Sequence, residues 1–368
     1  MNPRIENVSE DNNDILTFTL AGVNVSIANA IRRTILSNIP TLVFRTAPYE
    51  ENKANIIVNT SRLNNEILKQ RLSCIPIHIT DLEMPLQNYI MEVNVENLTD
   101  TILFVTTEDF KIKNLTTNEY LSEKDTRAIF PPNEYTSYFI DFVRLRPKIS
   151  DDIPGEKIHL TCEFSIGYAK EDGMFNVAST SAYGLTPDDV HIEEVLGKKQ
   201  QQWKDGGMSK DEIEFESKNW RLLDGQRIVT RDSFNFKVQT VGVFENRDLV
   251  KSACKILIKK LELLDTSIET DELKILPSDN TMKNSVDIIL ENEDYTIGKV
   301  MEFCMYSKFY EGITTLSYCG FKKMHPHDLD SIIRVAYKEP VEKITIKQNL
   351  KECIADAIIV YETIHKKF

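Results

Sequence analysis

VSIANAIRRTILSNIPTLVF, residues 25–44, is the stretch from which the chain is read. Ile27, Ala28, Ile31, Ile35 and Ile39 recur at the spacing of one helical face, which predicts an amphipathic helix. Ser26 is placed as its N-cap, because a hydroxyl there can accept from a backbone N–H of the first turn. Pro40 ends the helix, since it clashes with the preceding turn and has no N–H to donate. Upstream, Ile15 to Leu20 alternates as a half-buried strand, with Gly22 and Asn24 in the turn. Downstream, TLVFRTAPYE (41–50) is again strand-like.

Beyond residue 50 the character changes. Short apolar runs such as ANIIVNT (54–60), CIPIHI (74–79), NYIMEVNVEN (88–97) and KIHLTCEFSIGYA (157–169) alternate with turn residues. Only Asn64 to Leu72 has a helical face there. The reading is a mostly β inserted domain over 51–228, in which GKKQQQWKDGGMSKDE (197–212) is expected to be mobile and solvated. Strand character returns at Phe234–Val238, followed by a helix over 246–264 with Val250, Ala253, Leu257 and Leu261 on one side. A polar link with Pro277 spans 269–283.

Residues 284–368 repeat the opening order. VDIIL is a strand, ENEDY a turn, Thr296 a second expected N-cap, and Ile297, Val300, Met301 and Cys304 a second helical face. TTLSYCGFKK and SIIRVAYK are strand candidates, and a helix over 347–366 carries Leu350, Ile354, Ala357, Ile358, Tyr361 and Ile364. Ser26-Ile27-Ala28 beside Thr296-Ile297-Gly298 gives the same pattern of hydroxyl, isoleucine and small residue. The small Ala28 and Gly298 suit close approach of a helix to another backbone. The fold class expected is α+β. Residues 1–50 with 229–268, and residues 284–368, form two modules of antiparallel sheet with two helices each. Chance recurrence of a capped amphipathic helix is the competing explanation of the repeat.

Composition narrows the function. A net charge of −13 favours protein partners over a phosphate backbone, which needs Lys and Arg. The acidic start MNPRIENVSEDNND lacks the profile of a secretory leader, and no apolar run is long enough to span a bilayer. The six cysteines lie far apart with no CxxC pair, the pattern of buried intracellular thiols. No P-loop, GxSxG, HExxH or DxDGD pattern occurs, so an α+β enzyme, the rival reading, has no motif to support it. His325 and His327 flank a proline without a third ligand nearby. The pairs Asp151-Asp152 and Asp188-Asp189 stand in proline-bearing loops as solvated carboxylates.

Residues 25–44 resemble a family signature shared by three polymerase components. These are the third-largest subunit of eukaryotic RNA polymerase II, the archaeal D subunit and the bacterial alpha-subunit amino-terminal domain. RLNNEILKQRLSCIPI (62–77) and CEFSIGYAKEDGMFNV (162–177) resemble two further segments of that family. ENEDYTIGKVMEF (291–303), KKMHPHDLDSIIRVAY (322–337) and the terminal helix resemble its usual partner, the small eleventh or archaeal L subunit. Two partner families in order on one chain suggest a fused pair, of the kind found in large DNA viruses.

The resemblance implies a platform without an active site that nucleates polymerase assembly. It would bind the second-largest and largest subunits and a small zinc-binding subunit, with little or no direct nucleic-acid contact and no membrane. Asn29, Arg32, Arg33 and Arg71 are then the expected partner contacts. Ile27, Ala28, Ile31, Ile35, Ile297, Gly298, Val300, Met301, Leu350, Ile354 and Ile358 are the expected interface between the two modules. The cysteine-bound metal loop of some relatives is missing, since 51–228 holds only Cys74 and Cys162, so no metal or cofactor is expected. The implied location is intracellular: host cytoplasm and virion, with the nucleus as the alternative.

Overall fold

The computed structural model describes residues 1–11, 15–150 and 153–368, so Asp151-Asp152 lies outside the described residues. β1 (Arg4–Glu10) and β2 (Ile15–Ala21) pair antiparallel, Ile5 opposite Leu20, and lead into helix α1 (Val25–Ser37). β3 (Pro40–Val43), β4 (Ala54–Asn59) and α2 (Asn65–Ser73) follow. Next come β5 (Tyr89–Glu96), β6 (Leu103–Thr106), β7 (Lys111–Asn114), α3 (Glu123–Ile129) and β8 (Asp141–Leu145). β9 (Lys157–Glu163), β10 (Ser165–Tyr168) and β11 (Ala178–Pro187) precede α4 (Asp189–Asp205) and α5 (Lys210–Leu222). β12 (Val229–Thr240) and α6 (Asn246–Glu269) follow. The chain ends with β13 (Ile275–Pro277), β14 (Ser285–Leu290), α7 (Tyr295–Met305), β15 (Leu316–Lys322), β16 (Ser331–Tyr337) and α8 (Lys343–His365).

These elements form two compact units. One comprises Met1–Ile35, Thr180–Gln239 and Asn246–Phe368, the other Leu36–Ser179 and Thr240–Glu245. The first unit holds two four-stranded sheets, ordered β1-β2-β12-β11 and β13-β14-β16-β15. Alternation fixes which face is inside: Leu16, Phe18 and Leu20 of β2, with Phe234, Phe236 and Val238 of β12, are all buried. Phe18 stacks on Phe236 at 4.9 Å between centroids. The long helices follow from apolar residues at helical spacing. Leu249, Val250, Ala253, Cys254, Leu257 and Leu261 form the buried stripe of α6, and Leu350, Cys353, Ile354, Ala357 and Tyr361 that of α8. α6 packs on α8 and β2, while α7 packs on α8, β15 and β16.

The second unit contains a sheet ordered β4-β9-β5-β7 and the two-stranded pairs β6-β8 and β10-β3. Its core contains a group of phenylalanines: Phe110 meets Phe130 and Phe142 edge-on at 5.3 and 5.6 Å, and Phe44 meets Phe164 at 5.4 Å. Helix α2 begins at the expected place, because the Asn64 side chain accepts from the Ile67 N–H at 2.9 Å.

Several expectations change. Ser26 lies inside α1, and the capping oxygen is Asn24 Oδ1, which accepts from the Ser26 N–H at 2.9 Å. Asn24 also carries the first-turn carbonyl bonds to the Ile27 and Ala28 N–H groups, so the cap sits two residues earlier. Thr296 likewise lies within α7, and Asp294 is the N-cap, accepting from the Thr296 N–H at 2.8 Å. Gly22 makes the turn at φ +75°, where a Cβ would stand 2.2 Å from the Asn2 carbonyl oxygen.

The segment 197–212, expected to be mobile and solvated, is mostly exposed and lies in the helical hairpin α4–α5. Asp188 caps α4, and Ser209 and Glu212 form a capping box at the start of α5. Ile192, Leu196 and Trp220 give the hairpin a small core of its own. β11 joins the first sheet, and the second unit comprises Leu36–Ser179 with Thr240–Glu245, where a continuous insert over 51–228 was expected. Pro277, placed in a linker, closes edge strand β13, where its missing N–H does no harm.

Candidate functional site

The residues that join the first sheet and its helices to the second sheet and its helices lie within one unit. Arg33 projects from α1 to the start of α7. Its guanidinium donates to Asp294 Oδ2 at 2.8 Å and, through Nε, to Thr296 Oγ1 at 3.0 Å. Asp294 thus uses one oxygen to cap α7 and the other to hold Arg33. A carboxylate at a helix N-terminus is favoured by the exposed N–H groups, and the guanidinium adds a charge-assisted bond to it. Thr296 is buried, and the two charged side chains are about one-third exposed, at 36% and 32%.

A second link lies beside it. Lys260 on α6 donates to both oxygens of Glu293, at 2.7 and 3.0 Å, with the pair some 23% and 22% exposed. At the far end of α6, Lys347 of α8 reaches Asp271 at 2.6 Å and the Ile268 carbonyl at 3.1 Å. Lys343 also bonds Asp271, and these two lysines hold its carboxyl down to about 2. Lys351 bonds Glu269 at 2.5 Å. Between these polar ends α6 and α8 bury Leu257, Leu261, Ile354 and Ala357. Burial also pushes the Cys254 and Cys304 thiols up to about 12 and raises the Tyr361 phenol. The terminal residues close on β2 and the N-terminus: Phe368 meets Phe18 edge-on at 4.8 Å, and Lys367 donates to the Pro3 carbonyl.

The residues expected to contact other proteins also make bonds within their own chain. Arg33 is committed to Asp294 and Thr296 of its own chain, because the capped start of α7 presents it with a carboxylate and a hydroxyl. Arg32 donates to Asn29 Oδ1 at 2.9 Å one turn back along α1, and its carbonyl accepts from the Ser181 hydroxyl of β11. Arg71 belongs to the other unit, where Nε donates to the Phe142 carbonyl at 2.7 Å and a terminal nitrogen to that of Asp141 at 2.6 Å. It pins α2 to β8. Of the expected module interface, Ile27, Ala28, Ile31, Ile35, Ile297, Gly298, Val300, Met301, Leu350 and Ile354 are buried, while Ile358 is only partly so. Gly298 is small for a local reason: a Cβ there would stand 1.9 Å from the Phe321 ring of β15, in its own sheet. It makes room for a side chain rather than for another backbone.

Sequence reasoning missed Lys260 and most of α6 as joining residues. The available signal was a lysine set between the apolar Leu257 and Leu261, facing an acidic turn before α7. The His325 and His327 rings lie 5.1 Å apart, tilted by 35°, in an exposed turn. Among the described residues no group of three or more His, Cys, Asp or Glu side chains could hold a metal, and no helix is long and apolar enough to cross a membrane.

The family model described as the RNA polymerase Rpb3/Rpb11 dimerisation domain matches residues 17–261, from β2 into α6. The DNA-directed RNA polymerases I and III subunit rpac1 of Dictyostelium discoideum is 28% identical over 313 residues, covering 73% of this chain and 82% of that protein. Subunit RPAC1 of Homo sapiens is 26% identical over 306 residues, covering 70% and 82%. The archaeal DNA-directed RNA polymerase subunit Rpo3 of Pyrococcus horikoshii is 26% identical over 260 residues, covering 68% and 92%. The match takes in α1 with Arg33 and the Lys260 turn of α6, the elements whose side chains reach the second sheet. The chain belongs to the RNA polymerase Rpb3/Rpb11 family.

Proposed function

We infer that the protein is an assembly subunit of a multisubunit DNA-directed RNA polymerase and that it carries both members of the dimerising pair in one chain. It contributes no catalysis of its own; the chemistry belongs to the larger subunits. Family membership over residues 17–261 carries the first part. The second part is supported by the last hundred residues. β13-β14-β16-β15 with α7 and α8 repeats the plan of β1-β2-β12-β11 with α1 and α6. Arg33–Asp294 and Lys260–Glu293 tie the two plans together as an interface between subunits would.

Joining the two by a short connection turns a bimolecular encounter into an intramolecular one, so the platform forms at any dilution. The surfaces outside the join then receive the second-largest subunit, the largest subunit and a small zinc-binding subunit. Nucleic-acid contact is slight, in keeping with the net charge of −13. A viral source, with transcription in the host cytoplasm and packaging in the virion, extends this reading from the one-chain arrangement. Detection of the chain in purified particles tests that extension.

The assembly reading is tested by tagging the chain in its native source and fractionating at moderate salt. Co-elution with two large polymerase subunits and with DNA-templated RNA synthesis is the expected result. A folded chain that elutes alone under those conditions would overturn it.

A further inference from the structure

A groove of about 510 Å³ lies on the second unit between the start of α2 and β8. Its floor is the buried Phe142, Val143 and Leu145, and its lip is the partly exposed Leu63 with the exposed Ile102. Four arginines, Arg62, Arg71, Arg144 and Arg146, line it against one carboxylate, Asp141.

Two of these cations are occupied: Arg71 by the Asp141 and Phe142 carbonyls, and Arg146 by Glu156 at 2.6 Å. The other two are not. Among the described residues Arg62 makes no hydrogen bond or ion pair, and the Arg144 guanidinium lies over the Phe104 ring at 4.7 Å without an acceptor. Stacking fixes the plane of that guanidinium and leaves its N–H edge to donate, the arrangement that takes a carboxylate in two-point fashion. In a chain with 57 acidic and 44 basic residues, two unanswered guanidiniums at the rim of an apolar floor complement a ligand that is acidic and apolar at once.

We propose that this groove binds an acidic segment of a partner protein, with a leucine or phenylalanine packed against Leu63 and Ile102 and carboxylates on Arg62 and Arg144. Side chains, not backbone, provide the recognition. β8 pairs with β6 on one edge, and its Asp141 and Phe142 carbonyls are taken by Arg71 and that of Leu145 by the Asn97 amide at 2.9 Å. A strand added to that edge would find these acceptors closed. A nucleic acid would stack its bases on an open aromatic face; Phe104 is half exposed but already carries the Arg144 guanidinium on its ring, and Phe142 is buried. The proposal does not rest on the polymerase reading.

The test uses the full chain and a fluorescein-labelled peptide of about ten residues alternating Glu with Leu and Phe, followed by anisotropy. Saturable binding in roughly the micromolar range is expected. It should weaken about tenfold or more in the double variant R62E/R144E, and equally when Ser replaces Leu and Phe in the peptide. Arg62 and Arg144 are exposed, so the unfolding midpoint should hold, and R62Q/R144Q carries the comparison if the charge-reversed protein does not fold. Wild-type affinity in the variants, equal binding of polyglutamate, or displacement of the peptide by a short single-stranded oligonucleotide would each overturn the proposal. So would absence of saturable binding.

Discussion

Replacing Arg33 by Ala and Asp294 by Asn, singly and together, isolates the link between α1 and the start of α7. The contacts of Arg33 with the start of α7 include an ion pair to Asp294 at 2.8 Å and a hydrogen bond to Thr296 at 3.0 Å. A hydrogen bond to a charged group contributes about 1.5–3 kcal/mol when shielded, while an exposed pair contributes about 0–1. With side chains 36% and 32% exposed, this pair falls between, so Arg33→Ala should cost about 1–2 kcal/mol. Asn at 294 keeps a capping oxygen and removes only the charge, so its cost should be about 1 kcal/mol. If the two act on each other, the double variant should lose about 1 kcal/mol less than the sum of the singles. The assay is urea unfolding of the full chain at low and high salt, where the coupling should shrink as salt rises. Additive losses, with no coupling at low salt, would refute the claim that this contact holds the two sheet groups together.

Three further outcomes follow from the same packing. Gly298→Ala should overpack the Phe321 ring, at a cost of about 1–3 kcal/mol, and Phe321→Leu should recover part of it; thermal unfolding of the single and double variants decides. Arg334 holds Asp287 across β14 and β16 by two bonds of 2.6 Å, which lowers the carboxyl below its ordinary range. A folded pKa below the unfolded one gives stability that is complete above about pH 5 and lost as pH falls through the folded value. Asp287→Asn should therefore flatten the acid limb of the stability–pH curve, and an unchanged limb would count against the pair. In thiol labelling near pH 8, exposed Cys74 should react first. Cys254 and Cys304, buried and pushed up to about 12, should react only on unfolding.

Much of the fold was open to reading because its signals are apolar and periodic. Ile27, Ile31 and Ile35 on α1, Val250, Leu257 and Leu261 on α6, and Leu350 and Ile354 on α8 all declare their buried faces by spacing. What escaped was polar. Asn24 and Asp294 cap helices from positions where Ser26 and Thr296 looked as suitable, and only backbone geometry separates a cap from a first-turn residue. The α4–α5 hairpin buries only a few large apolar side chains, too few to announce a helix against its charged background.

The site was legible in part. Spacing shows that Arg33 stands off the apolar stripe of α1, but not that a carboxylate 261 positions later would claim it. Arg71 taught the same lesson at shorter range, its acceptors being backbone carbonyls of β8 that no side-chain pattern reveals.

Assembly of a polymerase around this chain is what the proposed function requires above all. Reconstitution from separately purified subunits, with and without this chain, measures that directly. The two large subunits should form a complex that synthesises RNA on a DNA template only when the chain is present, and the chain alone should incorporate no nucleotide. Assembly of an equally active enzyme in its absence would contradict the account.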